Sequence, residues 1–274
     1  MKFFSSFCFV IICLKLFGQS AGASFQPYNT QGDNMMHITT ADLDGAGAKD
    51  FVVGMTSEGK VIAFQRPGLI TDPSADNRLW EFQPPTSMGI RIFVADVFEN
   101  YNGDEVILPG TDGHLRILSS EGELLLDKKV STGALYAAAI AKGVNSQVII
   151  ATSGVDGLIY FLNTTGEQLN TLRPIVAKKG GRAGVIRHLV AGDFDGNGVD
   201  EIVSFVNYKS FEGNNFIDIT DLSTYTRPAY FNGNTNPIND NVVQGLGFTD
   251  KQLPHAYDMD GDGKLELAAH WGIF

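Results

Sequence analysis

The nine residues DFDGNGVDE, positions 193–201, stand between the apolar runs HLVAG and IVSFV. Five of the nine are Asp, Asn or Glu and two are Gly. A second copy, DMDGDGKLE, occupies 258–266, and a poorer one, DLDGAGAKD, occupies 42–50. An acidic loop that keeps returning between strand-like segments restricts the chain to repeat architectures. A β-sandwich is the competing fold, but it gives no reason for the loop to recur at the same place in each unit.

Each unit has two landmarks. An acidic loop precedes an apolar run in DLDGAGAKDFVVG, DVFENYNGDEVILPG, DFDGNGVDEIVSF and DMDGDGKLELAAH. A Gly-turn then leads into a short strand, as in SEGKVIAF, TDGHLRIL and VDGLIYFL. A further unit, LYAAAIAKGVNSQVIIATSGVDGLIYFL, keeps the strands but has lost its acids. Period-2 alternation of β-branched and aromatic residues indicates strands, and turn chemistry such as Asp112-Gly113 and Glu121-Gly122 separates them. Four short antiparallel strands per unit, at a spacing of roughly 40–55 residues, describe propeller blades. The expected fold is therefore all-β, a β-propeller of four-stranded antiparallel blades. About four and a half are visible, near 35–83, 90–130, 134–172, 186–231 and an incomplete 253–274. The unfinished last unit suggests a fragment of a six- or seven-bladed propeller, with a five-bladed ring as the alternative.

The loop chemistry points to calcium. In 193–201 the oxygen donors are Asp193, Asp195, Asn197 and Glu201, with the carbonyl of Val199 between them. The glycines let the chain curl so that these oxygens converge, and hard oxygen ligands in that number suit Ca²⁺. Asp258, Asp260, Asp262 and Glu266, with the Lys264 carbonyl, form an equivalent set. At Asp42 the fifth-place donor is replaced by Ala46, leaving Asp42, Asp44 and Asp50. The Asp96 loop carries an insertion that Asn100, Asn102 and Asp104 or Glu105 could complete. An EF-hand is excluded, because its twelfth-place Glu is here Val53, Ser204 or Ala269. The competing reading is a solvated Asx-rich turn, which is adequate for one lone copy but not for two complete ones.

The pattern D-x-D-x-[DN]-G-x-x-[DE], followed by an apolar strand and a Gly-turn strand, resembles the FG-GAP/VCBS repeat of integrin-α-type propellers. The resemblance spans almost the whole chain after residue 23. It implies that the calcium loop joins the first two strands of a blade, on the face opposite the usual ligand surface. It specifies fold and calcium far more than activity.

Residues 1–23 have a Lys at position 2, an apolar stretch and the small residues Ala21-Gly22-Ala23, the layout of a secretory signal peptide. The expected location is extracellular, or periplasmic if the source is bacterial. Both cysteines, Cys8 and Cys13, lie in this segment, so the mature chain has no disulfide to constrain it. Losing Lys2 and Lys15 moves the formal charge from −11 to −13. Such acidity argues against nucleic acid as a partner and fits cation binding. No later segment has the ~20 apolar residues that a membrane-spanning helix needs.

A ligand site is expected where the acidic loops are not. His37, Arg91 and His188 each lie five residues before the first Asp of a loop, Tyr136 holds that place in the acid-free unit, and His255 lies three before Asp258. Odd offsets keep these side chains on one strand face. If those strands are innermost, basic and aromatic groups converge near the channel mouth, which suits a carboxylate, a sulfated sugar or a peptide acid. The alternative is strand-entry residues bonded to backbone. Lys178, Lys179 and Arg182 form the densest positive cluster, and 232–252 is a long polar insertion suited to a binding loop. Asn163 begins a glycosylation sequon in a predicted turn.

No nucleophile elbow, HExxH motif or intact phosphate loop is present. The leading expectation is a propeller that binds an extracellular protein or polysaccharide. A carbohydrate-active enzyme of polysaccharide-lyase type and a purely structural repeat scaffold are the other two readings.

Overall fold

The computed structural model describes residues 30–66, 70, 72, 75–85, 89, 91–174, 184–207, 215–226 and 254–268. Residues 1–23, expected to be a signal peptide, as well as Lys178, Lys179, Arg182 and the 232–252 insertion lie outside them.

Antiparallel sheets follow one another along the chain, each built from strands consecutive in sequence. The first comprises β1 (Met35–Ala41), β2 (Phe51–Thr56), β3 (Val61–Phe64) and β4 (Arg78–Phe82). The second comprises β5 (Phe93–Ala95), β6 (Glu105–Pro109), β7 (His114–Leu118) and β8 (Leu124–Lys129). In the third are β9 (Leu135–Lys142), β10 (Val148–Gly154), β11 (Ile159–Leu162) and β12 (Gln168–Leu172). The described strands of the fourth are β13 (Val185–Gly192), β14 (Glu201–Asn207) and β15 (Asn215–Asp221). Those of the fifth are β16 (His255–Tyr257) and β17 (Glu266–Ala268). The protein is an all-β propeller of antiparallel blades. Its one described helical element is a single 3-10 turn at Val144–Ser146. No helix among the described residues is long and apolar enough to cross a membrane.

The core lies between blades, not within them. Val106, Leu108 and Leu118 of the second sheet pack with Val53, Met55 and Val61 of the first. Their neighbours Ile107, Leu115 and Ile117 face the other way, onto Leu135, Ala138 and Ile150 of the third. Since successive strand residues point to opposite faces, a sheet covered on both sides needs apolar residues at every position. This is why β6 reads EVILP and is buried throughout. Fully burying each such Leu or Ile contributes about 1.5–3 kcal/mol. Outermost strands are wetter: β8 is exposed or half-buried along its length.

First strands of consecutive sheets pack against one another, β1 on β5, β5 on β9, β9 on β13 and β13 on β16. They line a common central cavity of about 380 Å³. The first strand of the second blade is short, beginning only at Phe93. Ile92 enters the interblade core, and Arg91 reaches instead to the fourth blade.

Candidate functional site

The acidic loops connect the first and second strands of their blades. In the fourth blade, Gly192 pairs with Glu201, so the loop is closed by the first residue of β14. Asp193 Oδ1 accepts the N–H groups of Gly196 at 2.7 Å and Asn197 at 3.0 Å, and Oδ2 that of Gly198 at 2.8 Å. Asp195 accepts from Asn197 at 3.0 Å, and Asn197 from Val199 at 2.7 Å. These Asx turns need left-handed backbone at Gly196 (φ +78°) and Gly198 (φ +85°), where a Cβ would be strained. Glu201, with no solvent exposure, accepts the Phe194 N–H at 2.9 Å through Oε2.

The fifth-blade loop repeats this arrangement. Asp258 accepts from Gly261 at 2.6 Å and Gly263 at 3.1 Å, Asp260 from Asp262 at 3.1 Å, and Asp262 from Lys264 at 2.8 Å. Tyr257 pairs with Glu266, whose Oε2 accepts the Met259 N–H at 2.7 Å. Carboxylate oxygens of Asp193, Asp195 and Glu201 lie within 4.8 Å of one another, as do those of Asp258, Asp260 and Glu266. Three hard anionic oxygens gathered so closely repel one another, and a divalent cation removes the repulsion. The donor set fits Ca²⁺. Asn197 and Asp262 are each occupied in a turn beside their cluster.

The first loop is different. Asp42 accepts from Ala46 at 3.1 Å and Gly47 at 2.6 Å, and Asp44 from Ala46 at 3.2 Å. The Arg66 guanidinium then pairs with Asp44 and lies 2.9 Å from Asp50. In the second blade, Asp96 is exposed while Glu105 is wholly buried. Glu105 Oε2 accepts from Val97 at 2.7 Å and Phe98 at 3.3 Å, and Oε1 has no hydrogen-bond partner. Burial pushes the Glu105 carboxyl up, and the two N–H groups only partly offset that.

Asn102 and Asp104 do not complete the Asp96 loop. The insertion carries both onto the first blade, where Asn102 donates to the Asp44 carbonyl at 2.7 Å and Asp104 accepts the Asp42 N–H at 2.8 Å. The Asp104 N–H returns a bond to the Asp42 carbonyl at 2.6 Å. An equivalent bracket joins the third and fourth blades. Asp200 accepts the Lys142 N–H at 2.7 Å and donates its own to the Lys142 carbonyl at 2.8 Å. Burial raises the pKa of Asp200, and the Lys142 N–H opposes this. At the next joint Leu265 donates to the Asp193 carbonyl at 3.2 Å, keeping the backbone half of the bracket without a carboxylate.

The basic residues of the first strands do meet. His37, His188 and His255 line the central cavity together with Thr39 and the apolar faces of β5 and β9. Arg91, 3% exposed, reaches 2.7 Å from His188 Nδ1 and donates to the Arg187 carbonyl at 3.1 Å. Because Arg can only donate, that contact assigns Nδ1 of His188 as the acceptor. His188 also stands edge-on to Phe205, with ring centroids 6.1 Å apart. Burial, followed by the positive charge of Arg91, holds the His37 pKa below 6.5, and its Nδ1 is buried with no hydrogen-bond partner. Tyr136 lies under the Arg187 guanidinium at 4.8 Å, a residue that the five-residue spacing does not pick out. Asn163 sits apart, in the β11–β12 turn, where it accepts the N–H groups of Thr165 and Glu167.

Residues 51–176 match the family described as lambda-carrageenase beta-propeller domain. No curated protein matches the chain. Among solved structures, the computationally designed Ika4 protein is similar at 15% identity and a TM-score of 0.49, over 74% of this chain and 99% of that one. The Pan2 WD40 domain of Neurospora crassa shows 14% identity and a TM-score of 0.47, over 72% of this chain and 49% of that one. Raptor of Chaetomium thermophilum shows 12% identity and a TM-score of 0.49, over 72% of this chain and 16% of that one.

Proposed function

We propose that this chain is a secreted, calcium-stabilised propeller of FG-GAP/VCBS type that binds an acidic glycan at the mouth of its central channel. The observation that carries this is the gathering of His37, His188 and His255 around one cavity, with the buried Arg91 guanidinium bonded to His188 behind it, in a protein of formal charge −11. Imidazole and guanidinium groups brought together against that overall charge suit a carboxylate or sulfate. Similarity to a carrageenase-type propeller favours saccharide over protein as the ligand. Calcium would be held by Asp193, Asp195 and Glu201 and by Asp258, Asp260 and Glu266, where it would neutralise the clustered carboxylates.

Titration of the full chain with sulfated, carboxylated and neutral oligosaccharides tests the reading. Acidic ligands are expected to bind, and His37→Gln to weaken them by about tenfold, the loss of one charge-assisted hydrogen bond. Equal binding of neutral and acidic ligands, or none of either, overturns it.

One observation favours a lyase-type enzyme as the second reading. His37 lines the cavity, and burial followed by the positive charge of Arg91 lowers its pKa, as suits a proton acceptor. Absence of unsaturated products from a panel of acidic polysaccharides eliminates that reading and leaves the binder.

A further inference from the structure

We infer that the first acidic loop is a metal-independent copy of the motif, in which the Arg66 guanidinium takes the place of the cation. The inference rests on the calcium reading of the fourth- and fifth-blade loops.

Three observations separate this loop from those two. Ala46 stands where the other two loops carry the oxygen-bearing side chains of Asn197 and Asp262. The closing acid is also out of register. Glu201 and Glu266 are the first paired residues of their strands, opposite Gly192 and Tyr257. In the first blade Ala41 pairs with Phe51, so Asp50 is left inside the loop, one position short of the strand. Its carboxylate cannot make the bond to loop backbone by which Glu201 and Glu266 are held.

The third observation is the occupant. Arg66, two residues beyond β3, extends over the Phe51 ring at 5.0 Å and brings its guanidinium to both Asp44 and Asp50. At Asp50 the contact is a charge pair and not an aligned hydrogen bond, since Nε is 2.9 Å away but makes no hydrogen bond. A planar, permanently charged group carrying several donors is suited to bridging two carboxylates. It leaves Asp42 to the N–H groups of Ala46 and Gly47. Asn102 of the second blade covers the same loop so closely that a Cβ on Gly45 would lie 2.1 Å from its Oδ1. Protein groups thus supply charge at Asp44 and at Asp50 Oδ2, and cover for the loop, while Asp50 Oδ1 alone makes no hydrogen bond.

Hydrogen exchange of the full chain, with calcium and with chelator, tests the inference at named amides. In chelator, Gly196, Gly198, Gly261 and Gly263 are expected to exchange about tenfold faster, while Ala46 and Gly47 change by less than about twofold. Arg66→Gln is expected to speed exchange at Ala46 and Gly47 about tenfold in chelator. Chelator sensitivity at Ala46 and Gly47 equal to that at Gly196 overturns the inference. So does an Arg66→Gln chain with unchanged exchange there. If the two later loops ignore chelator, the calcium reading fails, and the Arg66→Gln result alone decides the role of the arginine.

Discussion

The first and fourth blades carry nearly the same nine letters, DLDGAGAKD and DFDGNGVDE, and solve the same electrostatic problem by different means. In the fourth, three carboxylate oxygens converge, and on the calcium reading an ion from solution supplies the compensating charge. In the first, it comes from Arg66 on the same blade. A repeat motif therefore fixes a backbone loop more firmly than it fixes a ligand. The outcome is decided by one donor position, one residue of register and one side chain from outside the motif.

Calcium removal should break the symmetry most strongly. At a hundredfold excess over Kd, each bound ion contributes about 2.7 kcal/mol, so chelation at two sites should lower the melting temperature by roughly 10–20 °C. A scanning-calorimetry shift of only a degree or two would mean that the later loops are as metal-independent as the first.

Paired substitutions sharpen the contrast. Glu201→Ala strips the Phe194 N–H of its acceptor in a buried place, at a cost of about 1–3 kcal/mol, and should also cancel the calcium response of its blade. Asp50→Ala should cost less than about 1 kcal/mol in denaturant unfolding, because it removes only a partly exposed pair. Its calcium response should match that of the unsubstituted chain.

Asp104→Ala tests how far the first loop relies on its neighbour. Loss of the acceptor for the Asp42 N–H should cost about 1 kcal/mol, equally with and without calcium. A calcium-dependent cost would show that an ion also acts in the first loop.

The smallest effect concerns the channel, where the two blades differ again. His188 is engaged by Arg91, while His37 is held below pH 6.5 by burial and then by the same guanidinium. The unfolded chain takes up that proton first, so stability should decline as pH falls from about 6.5 toward the depressed folded value. His37→Gln should flatten this part of the stability profile. An acidic ligand, which favours the protonated form, should bind more tightly at the acid end of the same window.

Blades were legible in the sequence because turn residues and period-2 alternation are local signals. The Asp193 and Asp258 loops were legible for the same reason, since their donors lie within nine consecutive residues. Arg66 was not, because in GKVIAFQRPG it reads as an ordinary turn residue and nothing local links it to Asp44, 22 positions earlier. Asp104 and Asp200 each stand immediately before a Glu, and as DE pairs they look like spare ligands. Each instead accepts a backbone N–H, 62 and 58 residues away, and Asp104 also pairs with Lys49, distances that no local pattern encodes. The spacing placed Arg91 and His188 on one face but could not show that they would touch, being 97 residues apart.

The interblade brackets have a consequence for biosynthesis. At both carboxylate brackets the acid belongs to the later segment and grips backbone laid down earlier. As a nascent chain emerges, the anchor point of each of these two brackets is already present when its carboxylate arrives. Assembly can thus proceed like a ratchet, each newly made sheet locking the one before it.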